Sequence, residues 1–301
     1  MLKGIVASVL ASLLFGSIYY LSPALQPLDG EQIFGWRVLV TLPFTTLLLL
    51  ALGEGVLLGA VWQRVRARPQ WALWLLASSG LLGVQLWLFM WAPLQGRALP
   101  VSLGYFLLPL VMVLAGRLLY GERLSRLQWL ATLLAVLGVG HEVWRVGSMS
   151  WEVWLVSLGY TLYFVLRRRL ALEGLVGHWL DMALLLPAAL WFILRAPASW
   201  QLLPGHPSLW FLLPLLGVMS CVALALYMGA SRWLPLGLFG LLSYVEPVLL
   251  VLAALLLGES LQPGQWPTYA LVFAAVTVLV VEGACQLLRQ RRRLRGGRGE
   301  L

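Results

Sequence analysis

The stretch Leu99–Trp129 reads LPVSLGYFLLPLVMVLAGRLLYGERLSRLQW, and Leu234–Trp266 reads LPLGLFGLLSYVEPVLLVLAALLLGESLQPGQW. Each opens on Leu-Pro and runs apolar through an internal proline, Pro109 or Pro247. Each then closes on a Gly-Glu pair, Gly121-Glu122 or Gly258-Glu259, followed by Gln128-Trp129 or Gln265-Trp266. From the Gly-Glu pair onward the copies are offset by 137 residues, close to half the chain. Both copies are too apolar for water. A membrane chain built of two similar halves predicts a transporter whose site lies between the repeats.

Composition points the same way. The chain is 61% hydrophobic and 11% charged, with mean hydropathy +0.87, whereas soluble domains carry about 25% charged residues. The charges fall in short runs between apolar segments long enough to cross ~30 Å of hydrocarbon. Ten such segments are read: 3–22, 32–53, 71–91, 98–119, 125–144, 151–169, 178–196, 208–230, 236–257 and 266–288. In lipid the backbone must satisfy its own hydrogen bonds, so these are helices. Solid leucine runs exclude the alternation of a β-barrel. The predicted fold class is therefore an all-α integral membrane protein, with ten transmembrane helices in two inverted five-helix repeats. Residues 1–147 form the first repeat, 148–288 the second, and 289–301 a basic tail. The first segment lacks a small-x-small cleavage site and reads as a retained helix. Cys221 and Cys285 have neither metal-ligand nor redox spacing and read as buried apolar residues.

Orientation follows from the basic residues. With the N-terminus inside, 17 of the 21 Lys and Arg fall on cytoplasmic segments, among them Arg64, Arg66, Arg68, Arg117, Arg123, Arg126, Arg167–Arg169 and the tail after Arg289. Arg37, Arg97, Arg145 and Arg195 remain on the other side. The positive-inside rule gives both termini as cytoplasmic. Beside a membrane helix the tail QRRRLRGGRG anchors to anionic lipid rather than to nucleic acid. Five helices per half is an odd number, so the second half enters the membrane upside down. That inversion is what alternating access requires.

The run SLGYFLLPL (Ser102–Leu110) with LYGERLSRLQWLA (Leu119–Ala131) resembles the RarD-type branch of the EamA transporters, within the drug/metabolite transporter superfamily. Trp36–Val38, Phe89–Ala92 and LGLFGLLSYVEP (Leu236–Pro247) fall where that resemblance places them, and it covers nearly the whole chain. It implies ten helices in two inverted repeats around a central cavity, and the export of amino acids or other small polar or cationic metabolites. Against the pattern of these relatives, Trp36 stands where they carry His, Leu108 where they carry Asn, and Glu246 where they carry a small residue. Two polar groups lost and one carboxylate gained describe a re-tuned cavity.

Within the helices, ionisable residues are the sharpest site candidates, because each costs about 2.5 kcal/mol or more at the membrane centre. Glu246 is read near the middle of the ninth segment, with Pro247 freeing a carbonyl one turn earlier. Its carboxylate suits a substrate ammonium or a coupling proton. Arg37 presents a planar fork for a carboxylate, or else anchors the helix end through Glu31 or Asp29. Asp181 reads as an acid favoured by a helix N-terminus, and Glu122 and Glu259 as matched helix ends or gates. Tyr19, Tyr105, Tyr163, Tyr227 and Tyr244 lie within helices and are candidates to line a polar space. Trp87 and Trp91, four apart, share a face that would wall a cationic group. The substrate-binding set is thus Glu246, Tyr244, Tyr105, Arg37, Trp87, Trp91, Tyr19, Tyr163 and Tyr227.

No cofactor, metal cluster or phosphate-cradling loop is written in the sequence, and no nucleophile set that would make a membrane enzyme. The expected partners are a small-molecule substrate, protons and membrane lipid, in a bacterial inner membrane. One acid, one Arg and several tyrosines suit a zwitterion: an amino acid, or an amino-acid-derived product such as an opine-type metal chelator. A lipophilic cation held by Glu246 and the tryptophans is the alternative, and a membrane enzyme or a subunit that scaffolds one is the remaining class.

Overall fold

The structure, a computed structural model, describes residues 2–121, 125–172, 174–195, 199–234, 239, 242 and 244–296. All of its regular elements are helical. They are α1 (Leu2–Leu21), α2 (Gly30–Ala51), α3 (Val56–Ala67), α4 (Gln70–Leu94), α5 (Ala98–Tyr120), α6 (Arg126–Val146), α7 (Trp151–Leu170), α8 (Leu175–Leu194), α9 (Pro207–Trp233), α10 (Val245–Leu256) and α11 (Trp266–Gly296), with short 3-10 turns between. Among the described residues, eight helices are long and apolar enough to cross a membrane, and α10 is a shorter apolar helix. The charges of α7, Glu152 in its first turn and Arg167–Arg169 in its last, keep that 20-residue helix out of the eight.

Local chemistry sets the helix ends. Asp29 accepts the Gln32 N–H at 2.7 Å while the Gln32 side chain accepts the Asp29 N–H at 3.1 Å, a capping box that starts α2. Ser125 and Gln128 do the same for α6, and Gln262 and Gln265 for the 3-10 turn that enters α11. Gln128 and Gln265 are the matched glutamines of the two copies. The matched glycines agree too: Gly121 closes α5 at φ +66° and Gly258 follows α10 at φ +91°, where a side chain would be strained.

One helix was not written in the hydrophobic pattern. α3 has only 12 residues and turns Val61 onto the bundle while Val56 and Trp62 stay exposed. Its arginines stack on indoles, Arg64 over Trp71 at 5.6 Å and Arg66 over Trp62 at 4.9 Å.

Small residues set the close approaches. A stripe of Gly4, Ala7, Ser8, Ala11, Ser12 and Gly16 is buried on α1, which packs on α9 and α10. On α2, a Cβ at Gly35 would sit 2.6 Å from the Ala189 carbonyl oxygen of α8. On α9, a Cβ at Gly217 would sit 2.7 Å from the Val40 carbonyl oxygen of α2. Both neighbours therefore close tightly on the helix that carries Arg37.

The main helix pairs are α1–α9, α4–α7, α1–α10, α5–α7, α2–α9 and α4–α8, together with α2–α8, α5–α10, α6–α11 and α2–α4. Exchange α1, α2, α4, α5 and α6 for α7 to α11 in order, and this set maps onto itself apart from α2–α4.

Candidate functional site

A cavity of about 640 Å³ lies inside the bundle, within the range of small-molecule sites. Its lining runs from Arg37, Phe89 and Tyr105 to Gln128, His178 and Glu282, which sit toward the ends of α6, α8 and α11 that lie farthest from the start of α5.

Arg37 is 6% exposed. Its Nε–H donates to Ser220 Oγ of α9 at 3.2 Å, and its guanidinium lies 5.3 Å from the Phe89 ring centre. Its Nη1 is buried with no hydrogen-bond partner among the described residues. One turn on, the Thr41 hydroxyl is also buried and unpartnered, and it lines the cavity. A buried donor left unmade costs on the order of 1–3 kcal/mol, more when charged, and both residues lie on the cavity wall. Asp29 and Glu31, the anchoring partners weighed from sequence, instead face Arg195 at 3.4 and 3.6 Å.

Glu246 lines the same cavity and makes no hydrogen bond or ion pair among the described residues. It lies in the first turn of α10 rather than mid-helix, because α10 begins at Val245. A helix N-terminus favours a carboxylate there. The carbonyl that Pro247 frees, at Ser243, lies outside the described residues, as do Glu122 and Pro235–Leu238.

The tyrosines divide. Tyr105 and Tyr160 meet hydroxyl to hydroxyl at 3.1 Å on the cavity wall, and Tyr163, Tyr227 and Tyr244 also line it. Tyr19 does not. It is fully buried among α1, α4 and α5 and donates to the Ala98 carbonyl at 3.1 Å. Trp87 and Trp91 do share a face, with ring centres 5.5 Å apart, but that face meets Trp151 of α7 rather than the cavity. The Trp87 Nε1–H is buried without a hydrogen-bond partner among the described residues.

A second charged set was not legible as one. Asp181 is fully buried and accepts from Ser79 Oγ at 2.8 Å, Tyr163 Oη at 2.9 Å and Arg167 Nη2 at 3.0 Å. The Arg167 side chain passes over Gly177, where any Cβ would collide with its guanidinium. Arg167 sits in a run of three arginines that reads as a topology signal, which hid its role. His178, which lines the cavity beside this set, gave no sequence signal beyond its spacing from Asp181. Among the described residues no group of three His, Cys, Asp or Glu would hold a metal ion.

A multi-pass helical bundle with unpartnered charges around a central cavity is the build of a membrane transporter. Residues 2–140 match the EamA-like transporter family. The chain is 44% identical over 296 residues to the chloramphenicol-sensitive protein RarD of Pseudomonas aeruginosa, covering 97% of this chain and 98% of that one. It is 40% identical to an uncharacterized transporter of Pasteurella multocida, over 96% of this chain and 99% of that one. The protein RarD of Escherichia coli is 32% identical over 71% of this chain and 73% of its own. The chain belongs to the EamA-like transporter family, in its RarD-like branch. A solved crystal structure with 22% identity shares the fold, at a TM-score of 0.60 over 93% of this chain and 96% of that one.

Proposed function

We propose that the protein is a secondary transporter that exports a small polar or zwitterionic metabolite, an amino acid or amino-acid-derived product, through the central cavity by alternating access. One observation carries this reading. Arg37, with a buried Nη1 that has no hydrogen-bond partner, and Glu246, with no hydrogen bond or ion pair, line a single cavity among the described residues. A zwitterion supplies the two groups they lack, a carboxylate for the guanidinium fork and an ammonium for Glu246. The tyrosine and phenylalanine walls fit the remaining apolar surface of such a solute.

The architecture we propose has ten spanning helices in two inverted repeats, α1, α2, α4, α5 and α6 followed by α7 to α11. The near-symmetric helix pairing, the matched capping boxes and the left-handed glycines support it. The arginines of α3, of the end of α7 and of the start of α6 gather at the end of the bundle toward which the cavity runs. By the positive-inside rule that end is cytoplasmic, both termini lie there, and the membrane is the bacterial inner one. This conformation is then the one that loads from the cytoplasm. The protein is a carrier rather than an enzyme, coupled to protons or to the substrate's own gradient.

The second reading, efflux of a lipophilic cation, draws on the aromatic wall of Phe89, Tyr105, Tyr160 and Tyr227 near Glu246. The buried Arg37 weighs against it, because it would repel such a cargo. Purified protein in liposomes, tested for uptake of labelled amino acids and of a lipophilic cation, decides between them. Arg37-dependent movement of an unmodified amino acid supports the first reading, and movement of the cation alone overturns it.

A further inference from the structure

The start of α5 is tied to four other parts of the chain. The Glu259 carboxylate, in the turn after α10, accepts the Ala98 N–H on Oε1 at 2.5 Å and the Leu99 N–H on Oε2 at 2.8 Å. The Tyr19 hydroxyl of α1 donates to the Ala98 carbonyl at 3.1 Å, and the Tyr269 hydroxyl of α11 to the Leu99 carbonyl at 3.2 Å. Arg97 donates from Nε to Glu152 of α7 at 2.5 Å and from Nη2 to Ser150 at 3.0 Å. The hydrogen bond to Glu152 holds the Arg97 guanidinium above its ordinary pKa. None of these residues lines the cavity, whose lining extends from Tyr105 toward the opposite end.

The way α5 is capped is the informative part. The free N–H groups of a helix start are ordinarily satisfied by the residue at the N-cap, which costs nothing in mobility. Arg97 stands at that position and its side chain caps nothing. The donors go instead to a carboxylate 160 residues away, on a different helix pair. Charge-assisted bonds to a helix N-terminus are strong when seated and vanish once the partner moves by a few ångströms. A local cap would stabilise α5 equally and would leave it free of α10 and α11. A distant one makes the stability of this end depend on how the helices are arranged, which is the behaviour of a two-state contact.

We infer that Glu259 is the latch of a gate, closing the cavity at the Arg97 end by holding the N-terminus of α5, and that transport requires its release. This rests on reading the cavity as the transport path. Tyr19, Tyr269 and the Arg97–Glu152 pair brace the latch. Glu259 touches no substrate. It acts through α5, the helix that brings Tyr105 and Pro109 to the cavity wall.

The test uses the full chain in membranes, with Cys221 and Cys285 replaced by Ala and one cysteine placed at Leu108 on the α5 wall of the cavity. A membrane-impermeant thiol reagent is offered from the Arg97 side and, separately, from the opposite side. Glu259→Ala is expected to raise labelling from the Arg97 side several-fold, with smaller rises for Tyr269→Phe and Arg97→Gln. Glu31→Gln, which breaks the Arg195 pair at the same end without touching α5, is the control and should change nothing. Labelling of Glu259→Ala at the parent level, in protein whose melting temperature is retained, overturns the latch. Should Glu259→Ala fail to fold, the Tyr269→Phe and Arg97→Gln variants decide, and parent-level labelling in both overturns it equally. The assay needs no substrate, so its failure strikes the latch alone. Absence of any transported solute would strike the functional reading and the tie between release and transport, and would leave the closure by Glu259 measured.

Discussion

Arg37 and Asp181 hold corresponding places in the helix pairing, with opposite charge. Arg37 joins α2 to α9 through Ser220 at 3.2 Å, and Asp181 joins α8 to α4 through Ser79 at 2.8 Å. α2–α9 and α4–α8 are exchanged when the two sets of five helices are swapped. The two charges differ in how well they are satisfied. Asp181 has three donors, whereas Arg37 keeps a buried nitrogen with none. One charge is fully bonded within the bundle, and the other lines the cavity with its hydrogen bonding incomplete among the described residues.

Asp181 should therefore matter to folding before it matters to cargo. Asp181→Asn leaves the Arg167 charge buried without its carboxylate, a loss of about 3–5 kcal/mol for a broken buried pair. A marked drop in the melting temperature of detergent-purified protein is expected. The double variant Asp181→Asn with Arg167→Gln should recover part of the loss, because no lone charge is then buried. If the single variant melts like the parent, the pair is not a structural one.

Arg37 should read out as substrate affinity. Arg37→Gln removes the fork aimed at a carboxylate and is expected to raise KM by roughly 10-fold or more, about 1.4 kcal/mol per decade. Arg37→Lys keeps the charge but loses the guanidinium fork and its place over the Phe89 ring, and should fall between. An unchanged KM for an amino acid with either variant removes Arg37 from the site.

Eight of the apolar spans were legible because hydrophobic length is local. α3 was not, since 12 residues broken by Arg64 and Arg66 read as a loop, yet Val61 and its neighbours fold it back on the bundle. The site was half legible. Periodicity says which residues share a helix face, so Trp87 and Trp91 were grouped, but it does not say which helix meets that face. Here Trp151 does, 64 and 60 positions further along the chain. Tyr19 faces the start of α5 for the same reason. Arg167 and Asp181 became partners only because the Arg167 side chain passes Gly177 to reach the carboxylate.

The orientation is open to a direct check. A reporter active only in the cytoplasm, fused after Arg295, should be active, and one active only outside should work when inserted near Pro204. Reversal of either result would remove the inverted arrangement of the two halves, and with it the cytoplasmic assignment of the cavity's reach.

Glu246 is the residue on which the mechanism turns. It faces the cavity from the first turn of α10 with no hydrogen bond or ion pair among the described residues, while Arg37 and Thr41, each with a buried polar atom lacking a partner among those residues, line the same cavity. If its carboxylate binds the substrate's ammonium or a driving proton, Glu246→Gln should abolish transport while insertion and melting temperature stay as they were. The amide keeps the shape and one acceptor oxygen but cannot ionise, so the comparison isolates charge. Wild-type transport that falls when the pH gradient is collapsed would mark the proton as the driver. Wild-type transport indifferent to the gradient would leave ammonium binding as the role of the carboxylate. Normal transport by Glu246→Gln, at both low and saturating substrate, would make Glu246 structural. Recognition would then rest on Arg37 and the tyrosines alone, and a zwitterionic cargo would lose the anion that holds its ammonium.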